Sequence, residues 1–307
     1  MKVMKMKHVY VLAMVILAVT VAATNKCSHT CGGKEIPYPF GIDHNNPSSD
    51  CFVGGRFLPF ICNESKIYLG NMEVLNINIF KAEIDVLFHV SKYCGDDNTT
   101  ENTIARLTDG SYTISSKENK FVTVGSNSYG YFNSYDGENK YSTGCLTSFI
   151  GYQRSIDNGT CSGIGCCQVD IPPRMWNISI QASYFNQNSS QYCSYAFVVK
   201  NGSYTFSSAH SKKGLPFNGL PVVLDWTIGN ESCSTASSKN NGGNYGCKNN
   251  SYCDDKDADF GYRCSCNPGF EGNPYHPHGC TGQFSYLNFS NLRLFLFFLK
   301  TLYRITY

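Results

Sequence analysis

Basic patches, long apolar runs, nucleotide-binding loops and helical periodicity are all missing from these 307 residues, and each absence removes a class of function. Charged residues make up only 16% of the chain. From residue 24 to 280, 19 Lys and Arg stand against 23 Asp and Glu. The formal charge of +2 arises because the first 23 residues and those beyond 280 hold six basic residues and no acidic ones. A mildly acidic chain with no basic arm has nothing with which to neutralise phosphates, so nucleic acid is not an expected partner. The apolar runs from Val9 to about Val21 and from Leu294 to Leu299 are both too short to cross a bilayer, which needs roughly 20 residues. No Gly-rich phosphate loop or HRD is present, and the lone Asp259-Phe260-Gly261 falls inside a dense cysteine run, so phosphoryl transfer is not expected. Acidic pairs such as Asp254-Asp255 lie in a loop with no apolar pocket to separate their pKa values, and hydrolysis by paired carboxylates is not expected. The chain reads as a non-enzyme.

What is present points to export. Lys2, Lys5 and Lys7 precede the first apolar run, and Ala22 and Ala23 follow it, the pattern of a signal peptide (1–23) cut after Ala23; a membrane anchor is the alternative. All sixteen cysteines lie between 27 and 280, an even number that implies disulfides in an oxidising compartment. Sequons at Asn63, Asn98, Asn158, Asn177, Asn188, Asn201, Asn230, Asn249 and Asn288 suit a glycosylated, secreted chain. Zinc at Cys264-x-Cys266 fits poorly, since exported thiols oxidise first and the spacing matches no common finger. The vicinal pair Cys166-Cys167 reads as two structural bridges to different strands, because neighbouring side chains diverge in an extended chain.

Ile77 and Ile79, then Ile84, Val86, Phe88 and Val90, alternate with mostly polar residues, the period of half-buried strands. SYTISSKENKFVTVG predicts a hairpin turning near 117–119, and YAFVVKNGSYTF another turning at Asn201-Gly202. The fold expected is mainly β, built of small disulfide-rich modules: 27–101, a β-rich region 102–226, and 233–280, with an atypical apolar tail 281–307.

Residues 233–280 carry six cysteines spaced C-x13-C-x5-C-x10-C-x-C-x13-C, with Asn-Pro-Gly-Phe after the C-x-C. This resembles an EGF-like domain, and the resemblance implies pairs Cys233 with Cys253, Cys247 with Cys264 and Cys266 with Cys280. So small a unit needs the bridges because it cannot bury enough apolar surface. Calcium is a candidate cofactor through Asp257, followed five residues later by Tyr262 as in calcium-binding EGF modules. The acidic lead before Cys233 is broken, however, with Ile228 where an acid belongs.

The opening CSHTCGGKEIPYPFGI, followed by Cys51 and by GRFLPFIC ending at Cys62, resembles the galacturonan-binding domain of plant wall-associated receptor kinases. CSGIGCCQVDIPP (161–173) resembles that family's GCCQ signature and LDWTIGNESC (224–233) its lead into the EGF-like domain. The chain departs from the pattern at Gly125-Ser126 and Phe149, where cysteines often stand, and shows no second EGF module, membrane span or kinase domain.

The resemblance implies a cell-wall ectodomain that binds pectic polysaccharide, with membrane association only if a longer form carries a span. Polygalacturonate carries one carboxylate per sugar and calls for cationic donors and a stacking ring. Lys34, Arg56 and Lys66, beside the most family-like segment, are the candidate donors and Tyr38 the candidate ring; Tyr38 and Phe40 also read as packing residues. From Cys27 to Glu101, however, five basic residues face ten acidic ones, which opposes simple steering of a polyanion. Calcium bridging of carboxylates is one way round this. The alternatives are an apoplastic protein- or peptide-interaction module, or a soluble decoy of full-length receptors. The pairing of the first ten cysteines stays open.

Overall fold

The computed structural model describes residues 29–42, 60–96, 99–108, 112–136, 138–148, 157–185, 193–238, 245–255 and 261–282. The segment expected to be a signal peptide, the tail beyond Gly282, Cys27, Cys51, Arg56 and Asp257 lie outside them.

The chain begins with a two-stranded hairpin, β1 (Thr30–Cys31) and β2 (Lys34–Glu35), turned by Gly32 and Gly33. Gly32 has φ of +56°, and a Cβ there would sit 2.2 Å from the Ser65 carbonyl oxygen, so only glycine lets the hairpin lie against the next strands. The Cys31–Cys62 bridge fixes that contact.

β3 (Ile61–Asn63), β4 (Lys66–Leu69), β5 (Met72–Asn78) and β6 (Glu83–His89) form an antiparallel meander. β17 (Gly219–Trp226) and β10 (Tyr112–Ile114) extend it to six strands in the order β10-β17-β6-β5-β4-β3. On β6 the predicted alternation holds, with Ile84, Val86 and Phe88 buried. On β5 a bulge between Val74 and Asn76 breaks the period, so Met72 and Val74 are buried while Leu75 is 39% exposed.

A five-stranded sheet runs β14-β11-β16-β7-β8, and a four-stranded sheet runs β13-β12-β15-β9. The first is built from β7 (Ser91–Asp96), β8 (Thr99–Thr103), β11 (Asn119–Val124), β14 (Cys166–Asp170) and β16 (Ser194–Lys200). The second is built from β9 (Ala105–Leu107), β12 (Ser128–Asp136), β13 (Asn139–Leu146) and β15 (Ile178–Tyr184). The two pack face to face where Phe121 meets Phe132, ring centroids 5.8 Å apart. At Gly130 a Cβ would lie 2.3 Å from Thr123 Oγ1 and 2.8 Å from Ala196 Cβ, so the sheets approach closely there. β16 is buried along almost its whole length because its second face is also covered, by Tyr204, Phe206 and Phe217 around the short helix α1 (Ser208–Lys213). The boundary expected at 101/102 falls inside β8, and β6 and β7 each pair with strands more than 100 residues later.

Neither predicted hairpin forms. β10 and β11 go to different sheets, β10 onto β17 and β11 between β14 and β16. The chain crosses between the sheets at Asn119, fully buried, whose amide donates to the carbonyls of Ser115 and Val223 and accepts from the Val223 N–H at 2.9 Å. A turn does occur at Asn201-Gly202, but the chain after it enters α1 instead of pairing back. Asn119→Ala leaves the Ser115 carbonyl and the Val223 N–H without this partner in a dry interior, while the Val223 carbonyl keeps the Ser115 N–H, and is expected to cost about 2–3 kcal/mol, to be read from chemical denaturation midpoints.

The last part is the EGF-like unit, with helix α2 (Cys233–Ser238), hairpin β18 (Ser251–Asp254) and β19 (Arg263–Cys266), and hairpin β20 (Phe270–Glu271) and β21 (Thr281–Gly282). Asp255 accepts the Cys233 N–H at the start of α2. This unit is joined to the rest by Trp226, whose ring packs edge-on against Phe40 and tilted against Tyr275 and whose carbonyl accepts from Arg263 Nε. The IPYPF stretch makes a turn with a cis Tyr38-Pro39 bond and a Phe40 N–H donating to the Pro37 carbonyl. That turn drops Phe40 into the core on Phe60 and leaves Tyr38 half-buried at the surface.

Candidate functional site

The cysteines form seven bridges among the described residues. Cys233–Cys253, Cys247–Cys264 and Cys266–Cys280 hold the EGF-like unit. Cys94–Cys193 joins β7 to the start of β16, while Cys145–Cys167 and Cys161–Cys166 send the vicinal cysteines to different partners. Of the sequons that are described, Asn63, Asn158, Asn201, Asn230 and Asn249 are exposed. Asn177 is half-buried, its amide 3.5 Å from the Tyr135 carbonyl. Asn98, Asn188 and Asn288 fall outside the described residues.

The structure separates the candidate ligand residues. Lys66 is engaged by Glu73 at 2.8 Å, whose hydrogen bond and charge raise the Lys66 pKa. Lys34 and Tyr38 line a groove of about 890 Å³ between the β1–β2 hairpin, β5 and the 273–278 loop of the EGF-like unit. There Asn273 Nδ2 donates to the Tyr38 carbonyl at 2.6 Å, and the His276 ring meets Tyr38 edge-on at 6.2 Å. His278 stacks obliquely on His276 at 5.0 Å, and His29 lines the same groove. Burial pushes the His276 pKa down, and the nearby His278 and His29 push it further. Among the described residues no three His, Cys, Asp or Glu side chains gather closely enough to hold a metal ion.

A second surface was not picked out by sequence reasoning. Paired residues on neighbouring strands point to the same side, so register assigns the outer face of the four-stranded sheet. One row holds Tyr135 and Lys140; the next holds Ser142, Asn133, Ser179 and Arg106; then come Gln181 and Tyr131, and then Leu146, Tyr129 and Ser183. Phe185 continues β15 and packs on Tyr129, ring centroids 4.9 Å apart, and Tyr129 meets Tyr131 at 5.1 Å. Tyr131 and Phe185 are 46% and 57% exposed. Tyr129, Tyr131 and Tyr135 of SYGYFNSYD share one alternation, with Asn133 between the last two, so the signal was present; what the sequence hides is which strands lie beside them.

Arg106 also lines a hollow of about 590 Å³ with His89, Lys92, Tyr195 and Phe217. Lys92 and Arg106 converge there because β7 and β9 are joined through β8, the Lys92 N–H donating to Thr103 Oγ1 at 2.9 Å. The charged residues lining this hollow are all cationic, and no Asp or Glu falls in the outer-face rows just described.

A family model described as wall-associated kinase matches residues 158–235, which include the GCCQ segment. Over 83% of its length the chain is 34% identical to wall-associated receptor kinase 2 and 37% identical to wall-associated receptor kinase 5, both of Arabidopsis thaliana. The chain belongs to the wall-associated kinase family. It spans about a third of these relatives' length, 34% of each, and wall-associated receptor kinase 1 of the same plant aligns over the same shares at 34% identity. No solved structure matches. Within the wall-associated kinase family the similarity here lies in the ectodomain region, and no kinase catalytic domain is evident in these residues. No helix among the described residues is long and apolar enough to cross a membrane.

Proposed function

We propose that this wall-associated kinase ectodomain is an extracellular pectin-binding module that holds galacturonan on the outer face of its four-stranded sheet. The observation that carries the proposal is chemical: where residues 24–280 are acidic on balance, this face presents Arg106 and Lys140, an aromatic row and no carboxylate. Arg106 and Lys140 pair with uronate carboxylates, Gln181, Ser183 and Ser142 supply neutral partners for hydroxyls, and Tyr129, Tyr131 and Phe185 offer ring faces to the apolar side of the sugars. Lys92 and His89 extend the cationic end into the hollow beside Arg106. The disulfide framework and the exposed sequons support a secreted, cell-wall location.

The test is retention of the secreted protein on de-esterified polygalacturonate, with and without calcium and at two salt concentrations. Arg106→Ala is expected to weaken binding about tenfold, the loss of one charge-assisted hydrogen bond. Arg106→Ala with Lys140→Ala is expected to remove most of the salt sensitivity. Lys34, Arg56 and Lys66 changed together to Ala form the competing arm. If that triple change abolishes retention while the Arg106 and Lys140 variants bind normally, the ligand lies at the N-terminal segment and the sheet-face assignment is wrong. Binding that requires calcium would move the mechanism to bridged carboxylates.

A further inference from the structure

The groove between the β1–β2 hairpin, β5 and the 273–278 loop differs chemically from the sheet face. Its β5 wall is mainly aliphatic, with Leu75 exposed and Ile77 half-exposed on either side of Asn76, and Pro37 and Pro277 continue it. The single aromatic ring on its rim, Tyr38, already has its carbonyl tied to Asn273 and its ring met edge-on by His276. Aliphatic ridges suit hydrocarbon side chains and offer little to a hydroxylated sugar. The rest of the rim is cationic or becomes so on acidification: His29, Lys34, His276 and His278, facing the one carboxylate of Glu35. β5 contributes no titratable side chain to the lining, and Glu73 on that strand is occupied with Lys66.

We propose that this groove is a docking site for an acidic peptide segment carrying aliphatic side chains, and that it holds the peptide more tightly as the pH falls. The occupant follows from complementarity, with hydrocarbon side chains against the β5 wall and carboxylates between the histidine rings and Lys34. Three histidines share one concavity, and two of their rings lie 5.0 Å apart. In the empty groove His276 resists protonation, because burial and the nearby His278 and His29 disfavour its imidazolium. A carboxylate placed beside His276 offsets that repulsion and raises its pKa. A ligand that raises a pKa is bound with proton uptake, so affinity climbs as the pH falls through the histidine range and levels off once the empty groove is itself protonated. The site is separate from the sheet face and does not depend on the polysaccharide reading.

The probe is a fluorescein-labelled hexapeptide alternating glutamate and leucine, followed by anisotropy with the intact secreted protein at constant ionic strength. Binding is expected to be about tenfold tighter near pH 5 than near pH 7.5. His276→Gln combined with His278→Gln is expected to flatten that dependence while leaving weak binding at both pH values, and Lys34→Glu to weaken binding at both. Arg106→Ala should change nothing here, which separates failure of this proposal from failure of the sheet-face one. NMR titration of the histidine Cε1 protons in the unmutated protein is a measurement that does not depend on whether the variants fold: their pKa values should rise with the peptide. A pH-independent affinity, unshifted histidines, or equal displacement by an oligogalacturonide would each overturn the assignment.

Discussion

Trp226→Ala is expected to lower the unfolding free energy by about 3–5 kcal/mol and to release the EGF-like unit from the sheets it leans on. Trp226 ends β17, is 1% exposed, and fills the space between Phe40 of the N-terminal turn and Tyr275 of the EGF-like unit, ring centroids 4.9 and 5.2 Å away. Truncating it opens a cavity that three covalently separate segments would have to collapse into, and each is already pinned: Phe40 by Phe60, β17 by its pairing with β6, and Tyr275 by its hydroxyl accepting the Cys264 N–H. Poor collapse is what places large-to-small changes at the costly end of their range. The EGF-like unit keeps its three disulfides, so the loss should show as docking failure and not as unfolding of that unit. Limited proteolysis in the 227–232 segment should accelerate, while near-UV circular dichroism loses the Trp226 contribution and keeps that of Trp176. Trp226→Phe should recover much of the stability, because it keeps an aromatic contact to Phe40. If Trp226→Ala unfolds with the unmutated midpoint and resists cleavage at 227–232, the two parts are held by something other than this ring.

The second large effect concerns Cys94 and Cys193. Their bridge closes a loop of 99 residues, whereas Cys161–Cys166 closes one of 5. In the chain-entropy account, cross-linking removes freedom from the unfolded chain in proportion to the logarithm of loop length, so the long bridge contributes about 4.7 kcal/mol and the short one about 2 kcal/mol. Replacing Cys94 and Cys193 together by Ser should therefore destabilise roughly twice as much as the same change at Cys161 and Cys166. The comparison is made on chemical denaturation midpoints with the slope checked for two-state behaviour. Equal losses would show that local packing around each bridge, and not the unfolded chain, sets its worth.

Much of the fold was legible in the sequence, for physical reasons that differ by element. The EGF-like spacing is local, so a run of 48 residues carries its own pattern, and the pairs it implies coincide with those in the structure. The mainly β character followed from alternation on β6. Strand partners were not legible, because β6 finds β17 and β7 finds β16 across more than 100 residues, and period-two alternation says which way a side chain points but not what lies beside it. The hairpin expected near 117–119 failed for this reason: Asn119 looks like a turn residue, but its amide is spent bridging Ser115 and Val223. Of the candidate ligand residues, Lys34 and Tyr38 share a groove while Lys66 is committed to Glu73. Arg106, Lys140 and Tyr131 stand on three different strands and become one surface only once register is known.

The hydrogen bond from Asn273 to the Tyr38 carbonyl spans 235 positions of sequence. During vectorial synthesis, the N-terminal turn enters the folding compartment long before the residue that fastens it has been made. Phe40 has Phe60 to rest on early, but Trp226, Tyr275 and His276 arrive last. The N-terminal turn must therefore wait for the EGF-like unit before it can settle, and a chain that stops before that unit would present an unfinished turn to the quality-control machinery.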